Sequence, residues 1–158
     1  MNKEKQKNFA MRVTQANKTE LVAVTCDIIV ENIDCAKEFL NNGDISGYRS
    51  ELKSAQRFLA ELIRSLDFKY QIAKDLLRIY EYVQRILIGS EVSGTDRGLD
   101  AVRRIILSIG SSFEKISAED TSAPVMENTQ QIYAGLTYGR GTLNEADMAA
   151  GTNRGFLA

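Results

Sequence analysis

The side chains in this sequence that could do chemistry are carboxylates, arginines, tyrosines and two thiols, because histidine is absent. That absence removes the commonest general base, the Ser-His and Cys-His dyads, and most zinc and di-iron ligand sets. Asp27, Glu31, Asp34 and Glu38 step by 4, 3 and 4, so on a helix they share one face. A paired-carboxylate catalyst or a metal bundle would need that face turned inward. Apolar residues of the same segment claim the inside, so the stripe is expected to face solvent, with neither metal nor other cofactor. Arg57, Arg64, Arg78 and Arg85 would hold a small anion only by converging in a closed cavity, while Arg103 and Arg104 read as part of a solvated face. Cys26 and Cys35 fall in one helical segment, about 13 Å apart at Cα and beyond the ~7 Å reach of a disulfide. They read as small apolar fillers. The glycines of 135–141 do not sit between a strand and a helix, which leaves a phosphate loop without support. No catalytic residue is assigned. A binding protein is expected, not an enzyme.

Helices must position these groups. The apolar residues Ile45, Tyr48, Leu52, Ala55, Leu59, Leu62 and Leu66 step by 3 and 4, as one helix face requires and no strand can supply. Leu99, Val102, Ile106, Ile109, Phe113 and Ile116 repeat the rhythm, and Ile72, Leu76, Ile79, Val83 and Ile86 do so between them. Segment 17–41 is apolar over a still wider arc, including Leu21, Val24, Cys26, Ile28, Ile29, Val30 and Ile33. Such a helix needs partners on more than one side or keeps a surplus face for something else. Asn17 with Glu20 has the form of a capping pair, 41–44 (Asn-Asn-Gly-Asp) is a stop and restart, and 65–67 is a tighter junction. Gly89 to Gly98 reads as the longest interhelix loop, capped by Thr95 or Asp96.

These breaks give an all-α chain with three parts. Residues 1–16 form an N-terminal arm. Residues 17–117 form an antiparallel up-down four-helix bundle, with helices at about 17–41, 44–66, 68–90 and 96–117. Residues 118–158 form a Gly-rich tail, within which Ile132, Tyr133, Leu136, Tyr138 and Leu143 make a cluster of apolar anchors suited to docking on this chain or on a partner. Charge is uneven: five basic and two acidic groups in 1–20, two basic and five acidic in 118–158. The net charge of −1 offers no field for nucleic acid. No stretch approaches the ~20 apolar residues of a membrane span, and the charged N-terminus lacks the apolar segment of a signal peptide. A cytoplasmic location without membrane insertion is expected.

Three ordered elements resemble the FliS family of flagellin export chaperones. The opening run from Val13 through Ala16 and Glu20 to Leu21, the junction Leu66-Asp67, and Ile79-Tyr80-Glu81-Tyr82 follow that family's pattern over about residues 9–117. The chain differs from it at Lys18, where the family has proline, and in having Phe113 nearest the family's tryptophan. The resemblance implies a chaperone that binds the disordered C-terminal segment of flagellin in an apolar groove and presents it to an export-gate component. It places the client groove at Phe9, Met11, Val13, Leu21, Cys26, Ile79, Tyr80 and Tyr82. A helical adaptor or scaffold for another protein is the alternative. A homodimer or exchange of tails between copies is compatible with either.

Overall fold

The computed structural model describes residues 3–126, which belong to one compact unit, Met1–Glu127. Among the described residues there are five helices and no strand: α1 (Lys3–Gln15), α2 (Lys18–Asn41), α3 (Ile45–Arg64), α4 (Gln71–Ser93) and α5 (Leu99–Ser117). The arm is therefore helical for most of its length. Ala16 and Asn17 alone separate it from α2.

Each boundary has a local cause. The Asn17 side chain accepts a hydrogen bond from the Glu20 N–H at 2.8 Å, satisfying one of the donors a helix start leaves open. Between α2 and α3, Gly43 takes φ +75° and the Asp44 carboxylate accepts from the Gly47 N–H at 2.8 Å. The connection before α4 runs over residues 65–70, longer than the tight junction expected, with Asp67 Oδ1 accepting from the Lys69 N–H at 3.0 Å.

The expected loop from Gly89 is corrected most. Helix α4 continues through Gly89 to Ser93 and is stopped by Gly94 at φ +67°, whose N–H donates to the Ser90 carbonyl. Tertiary contacts hold this last turn. Ser90 is buried, and Glu91 pairs with Gln56 and Lys53 of α3. Helix α5 then starts after Gly98 at φ +89°, with no side-chain cap from Thr95 or Asp96. The Thr95 carbonyl instead accepts from the Tyr48 hydroxyl at 2.6 Å, which joins the start of α3 to the end of α4.

Helix α2 is the central element, packed most extensively on α3 and α5, while α4 packs on α3 and touches α5 sparsely. Ile29 and Ile33 of α2 meet Tyr48, Leu52 and Leu59 of α3, Tyr80, Val83 and Leu87 of α4, and Leu99, Val102 and Ile106 of α5 in one core. Each such side chain contributes about 1.5–3 kcal/mol on full burial. Most of the wide apolar arc of α2 is consumed by these neighbours, Leu21 and Val22 at its start staying half-buried. That of α4 is not.

Candidate functional site

The apolar residues of α4 fall into two groups. Ala73, Tyr80, Val83 and Leu87 turn inward and are buried. Ile72, Ile79 and Ile86 recur every seven residues, so they fall on nearly one line beside that core face. Ile72 is 64% exposed and Ile79 37%, with Tyr82 41% exposed further round the helix. Ile72 shares the helical rhythm of this segment, yet the sparse α4–α5 packing leaves it uncovered. On α5, Ile105 and Ile109 pack partly against the core and Ile116 lies open.

At the end of the fold where α4 begins and α5 finishes, this surface deepens into two adjoining cavities. One, of about 200 Å³, is lined by Val22, Leu66, Tyr70, Ile72, Leu76, Tyr80 and Phe113. The other, of about 700 Å³, shares Val22, Leu62, Tyr70 and Phe113 with it and adds Leu21, Thr25 and Val125. Cys26 and Tyr80 lie beneath. Burial, with a smaller contribution from Asp27, pushes the Cys26 thiol up to about 12. Burial likewise raises the Tyr80 hydroxyl well above its ordinary value, with Cys26 as the lesser cause. Neither ionises near neutral pH, so the floor stays uncharged.

A further recess, of about 440 Å³, lies under α1, lined by Phe9 and Val13 together with Ile28 and Asn32 of α2 and Phe58 of α3. Leu21, Thr25, Ile28 and Asn32 step by 4, 3 and 4 along α2, so this recess and the larger cavity follow one line of that helix. Helix α1 buries no residue of its own. It is held by ion pairs from Lys5 to Glu31 at 2.6 Å and from Arg12 to Asp27 at 2.9 Å. Residue numbers rise along one helix as they fall along the other, so the two run in opposite directions.

The acidic stripe expected to be merely solvated is in fact used. Besides those two pairs, Asp34 accepts a bidentate bond from Arg103, at 2.7 and 2.9 Å. Arg103 is thereby part of the α2–α5 contact and not a free surface charge.

The residues picked from sequence therefore separate. Phe9 and Val13 are half-buried against α2 and α3, while Met11 is 44% exposed. Leu21 lines the larger cavity, Cys26 and Tyr80 are buried, and Ile79 and Tyr82 stand on the open flank of α4. Phe58, Tyr70 and Phe113 line the recesses as well, of which only Phe113 carried a sequence signal. Ile132, Tyr133, Leu136, Tyr138 and Leu143 lie outside the described residues.

Arg57, Arg64, Arg78 and Arg85 are all exposed; Arg57 and Arg64 line one recess along α3, which Arg78 and Arg85 of α4 do not join. Among the described residues no group of three or more carboxylates and thiols is placed to hold a metal ion. No helix among them is long and apolar enough to cross a membrane. A family model described as flagellar protein FliS matches residues 1–120. No curated protein matches the chain.

Proposed function

Since that match spans residues 1–120 of 158, the chain belongs to the flagellar protein FliS family, and we propose that it is an export chaperone for flagellin. The client is flagellin's disordered C-terminal segment, and the seat is the apolar surface running from the line of Ile72 and Ile79 into the cavities at Phe113 and Leu21. The observation that carries this reading is the uncovered isoleucine line on α4 opening onto a mostly apolar recess, with Asp67 the charged residue in its lining. In this reading α2 to α5 form an antiparallel four-helix bundle carrying α1.

The energetics suit a passenger without fixed structure. An extended or helical peptide can lay apolar anchors into such a surface at i and i+3 or i+4. Ordering the client costs about 2–5 kcal/mol. Burying about 1,000 Å² of apolar surface contributes about 25 kcal/mol gross, before rigid-body and side-chain costs. Apolar contact suffices, and a near-neutral chain is consistent with that.

Helix α1 acts as a lid. The contacts that hold it include the Lys5 and Arg12 ion pairs and the half-buried Phe9 and Val13 but no fully buried side chain of its own, so a client reaching Ile28 and Phe58 can displace it. The chaperone works in the cytoplasm, keeps flagellin unpolymerised and hands it to an export-gate component.

Titrating the protein with a fluorescent peptide of the flagellin C-terminal segment tests the assignment. Binding tighter than about 10 μM is expected. It should weaken at least tenfold in the double variant Ile72→Asp, Ile79→Asp, whose circular dichroism should match the wild type because both side chains are exposed. No binding up to about 50 μM would leave an adaptor for another protein as the better reading.

A further inference from the structure

We propose that residues 118–126 are a latch that clamps the pivot of α1 and occupies the mouth of the larger cavity until a client displaces it; the cavity's role as a client seat is taken from the reading above. Past the end of α5 the chain makes a turn closed by Glu119 N–H to the Ile116 carbonyl at 3.1 Å and Asp120 N–H to the Ser117 carbonyl at 3.2 Å. It then returns to the two residues between α1 and α2. The Asn17 side-chain amide donates to the Asp120 carbonyl at 3.1 Å, and the Thr19 hydroxyl donates to Asp120 Oδ2 at 2.6 Å. The Val125 N–H donates to the Ala16 carbonyl at 3.0 Å. Asp120 Oδ1 also accepts from the Ser122 N–H at 3.0 Å, which sets the bend between the two anchor points.

Any swing of α1 away from α2 must change the backbone at Ala16 and Asn17, since these are the only non-helical residues between the helices. Both are buried, and both are bonded to the latch. Lid and latch therefore share one pair of residues. At its other end, Val125 sits on the rim of the roughly 700 Å³ cavity beside Leu21 and Phe113. Val125 is 47% exposed and Met126 46%, so this segment rests on the opening without being sealed into it. A few hydrogen bonds and a half-exposed valine make a closure that a better apolar ligand can replace. A client side chain entering there would lift Val125 from the rim, release the Ala16 carbonyl and free α1, which links occupancy of the cavity to opening of the lid.

The test uses the full chain and the variants Asp120→Ala and Val125→Ser, neither of which alters the cap of α2 or the core. Hydrogen exchange without client reads the latch directly. Amides of 118–126 and of α1 are expected to exchange about tenfold faster in Asp120→Ala, with α3 and α4 unchanged. The flagellin peptide should then bind both variants about tenfold more tightly. Unchanged α1 exchange in Asp120→Ala overturns the link between latch and lid. A peptide that binds the wild type and both variants alike overturns the closure of the cavity, yet leaves the client assignment standing. If the peptide binds none of them, the client assignment falls, and the exchange data still decide whether the latch holds the lid.

Discussion

Gly110 of α5 lies against Cys26 of α2 so closely that a Cβ placed on the glycine would stand 3.0 Å from the cysteine's Cβ. The next neighbour of that Cβ would be the Ala23 carbonyl oxygen at 3.8 Å, an ordinary contact distance, so the crowding comes from the Cys26 side chain. Two small residues thus meet where the central helix packs on α5. Gly110→Val should push the helices apart and lower stability by about 1–3 kcal/mol, read as a drop in the urea midpoint. An unchanged midpoint would mean the helices separate there at no cost.

The hold on α1 can be read through a thiol. The Cys35 Sγ lies 3.4 Å from Glu31 Oε1, the same oxygen that receives Lys5. Reversing both lid charges, Lys5→Glu with Arg12→Glu, should expose Cys35 and speed its alkylation severalfold. The effect on global stability should stay within about 1 kcal/mol, as for ion pairs at the surface of a fold. High salt should mimic the variant in the wild type. Cys26, buried with a thiol at about 12, should react only after unfolding. Equal reactivity of the two thiols in the native protein would contradict this arrangement.

Tyr48 is fully buried, and its hydroxyl lies 2.6 Å from the Thr95 carbonyl and 3.2 Å from that of Ser90. Tyr48→Phe leaves the ring and removes the donor. The change should cost about 1–3 kcal/mol, because the Thr95 carbonyl just past α4 then loses its hydroxyl donor, while the Ser90 carbonyl keeps the Gly94 N–H. Hydrogen exchange should quicken at 90–98 before it does elsewhere, and a loss spread evenly over the fold would argue against this role.

The latch carries a pH dependence of defined sign. The Thr19 hydroxyl, followed by Ser122, holds the Asp120 carboxyl below its ordinary value. A carboxyl depressed in the folded state favours folding above the unfolded value of 3.8, and that contribution fades as pH falls through the folded value. The amide signals of Thr19 and Val125 should therefore shift together on acidification, with a midpoint under 3.8. A midpoint at or above that value would show that Asp120 is not engaged.

Much of this was legible in the residues. The 3-and-4 stepping of Tyr48 to Leu62 and of Leu99 to Ile106 names two helices and their inward faces, because only a helix brings those positions to one side. Asn17 with Glu20 marks the start of α2, because capping acts across three residues and needs no distant partner. Glycine was read less well. Gly89 lies inside α4 and Gly94 ends it, because contacts of Ser90 and Glu91 with distant residues carry the helix past the first glycine.

What only the tertiary structure decided concerns surfaces that close against other segments. Both α2 and α4 carry more apolar residues than one interface needs. The sequence cannot say which helix is covered, since that depends on α4 packing on α3 while lying sparsely against α5. Helix α1 and the stripe from Asp27 to Asp34 are complementary only when folded, Lys5 meeting Glu31 and Arg12 meeting Asp27 across 26 and 15 residues of chain. The return of Asp120 to Thr19, 101 residues away, left no local trace at all. Local periodicity and caps are written in neighbouring residues. The lid, the latch and the open flank of α4 arise from distant segments meeting in space.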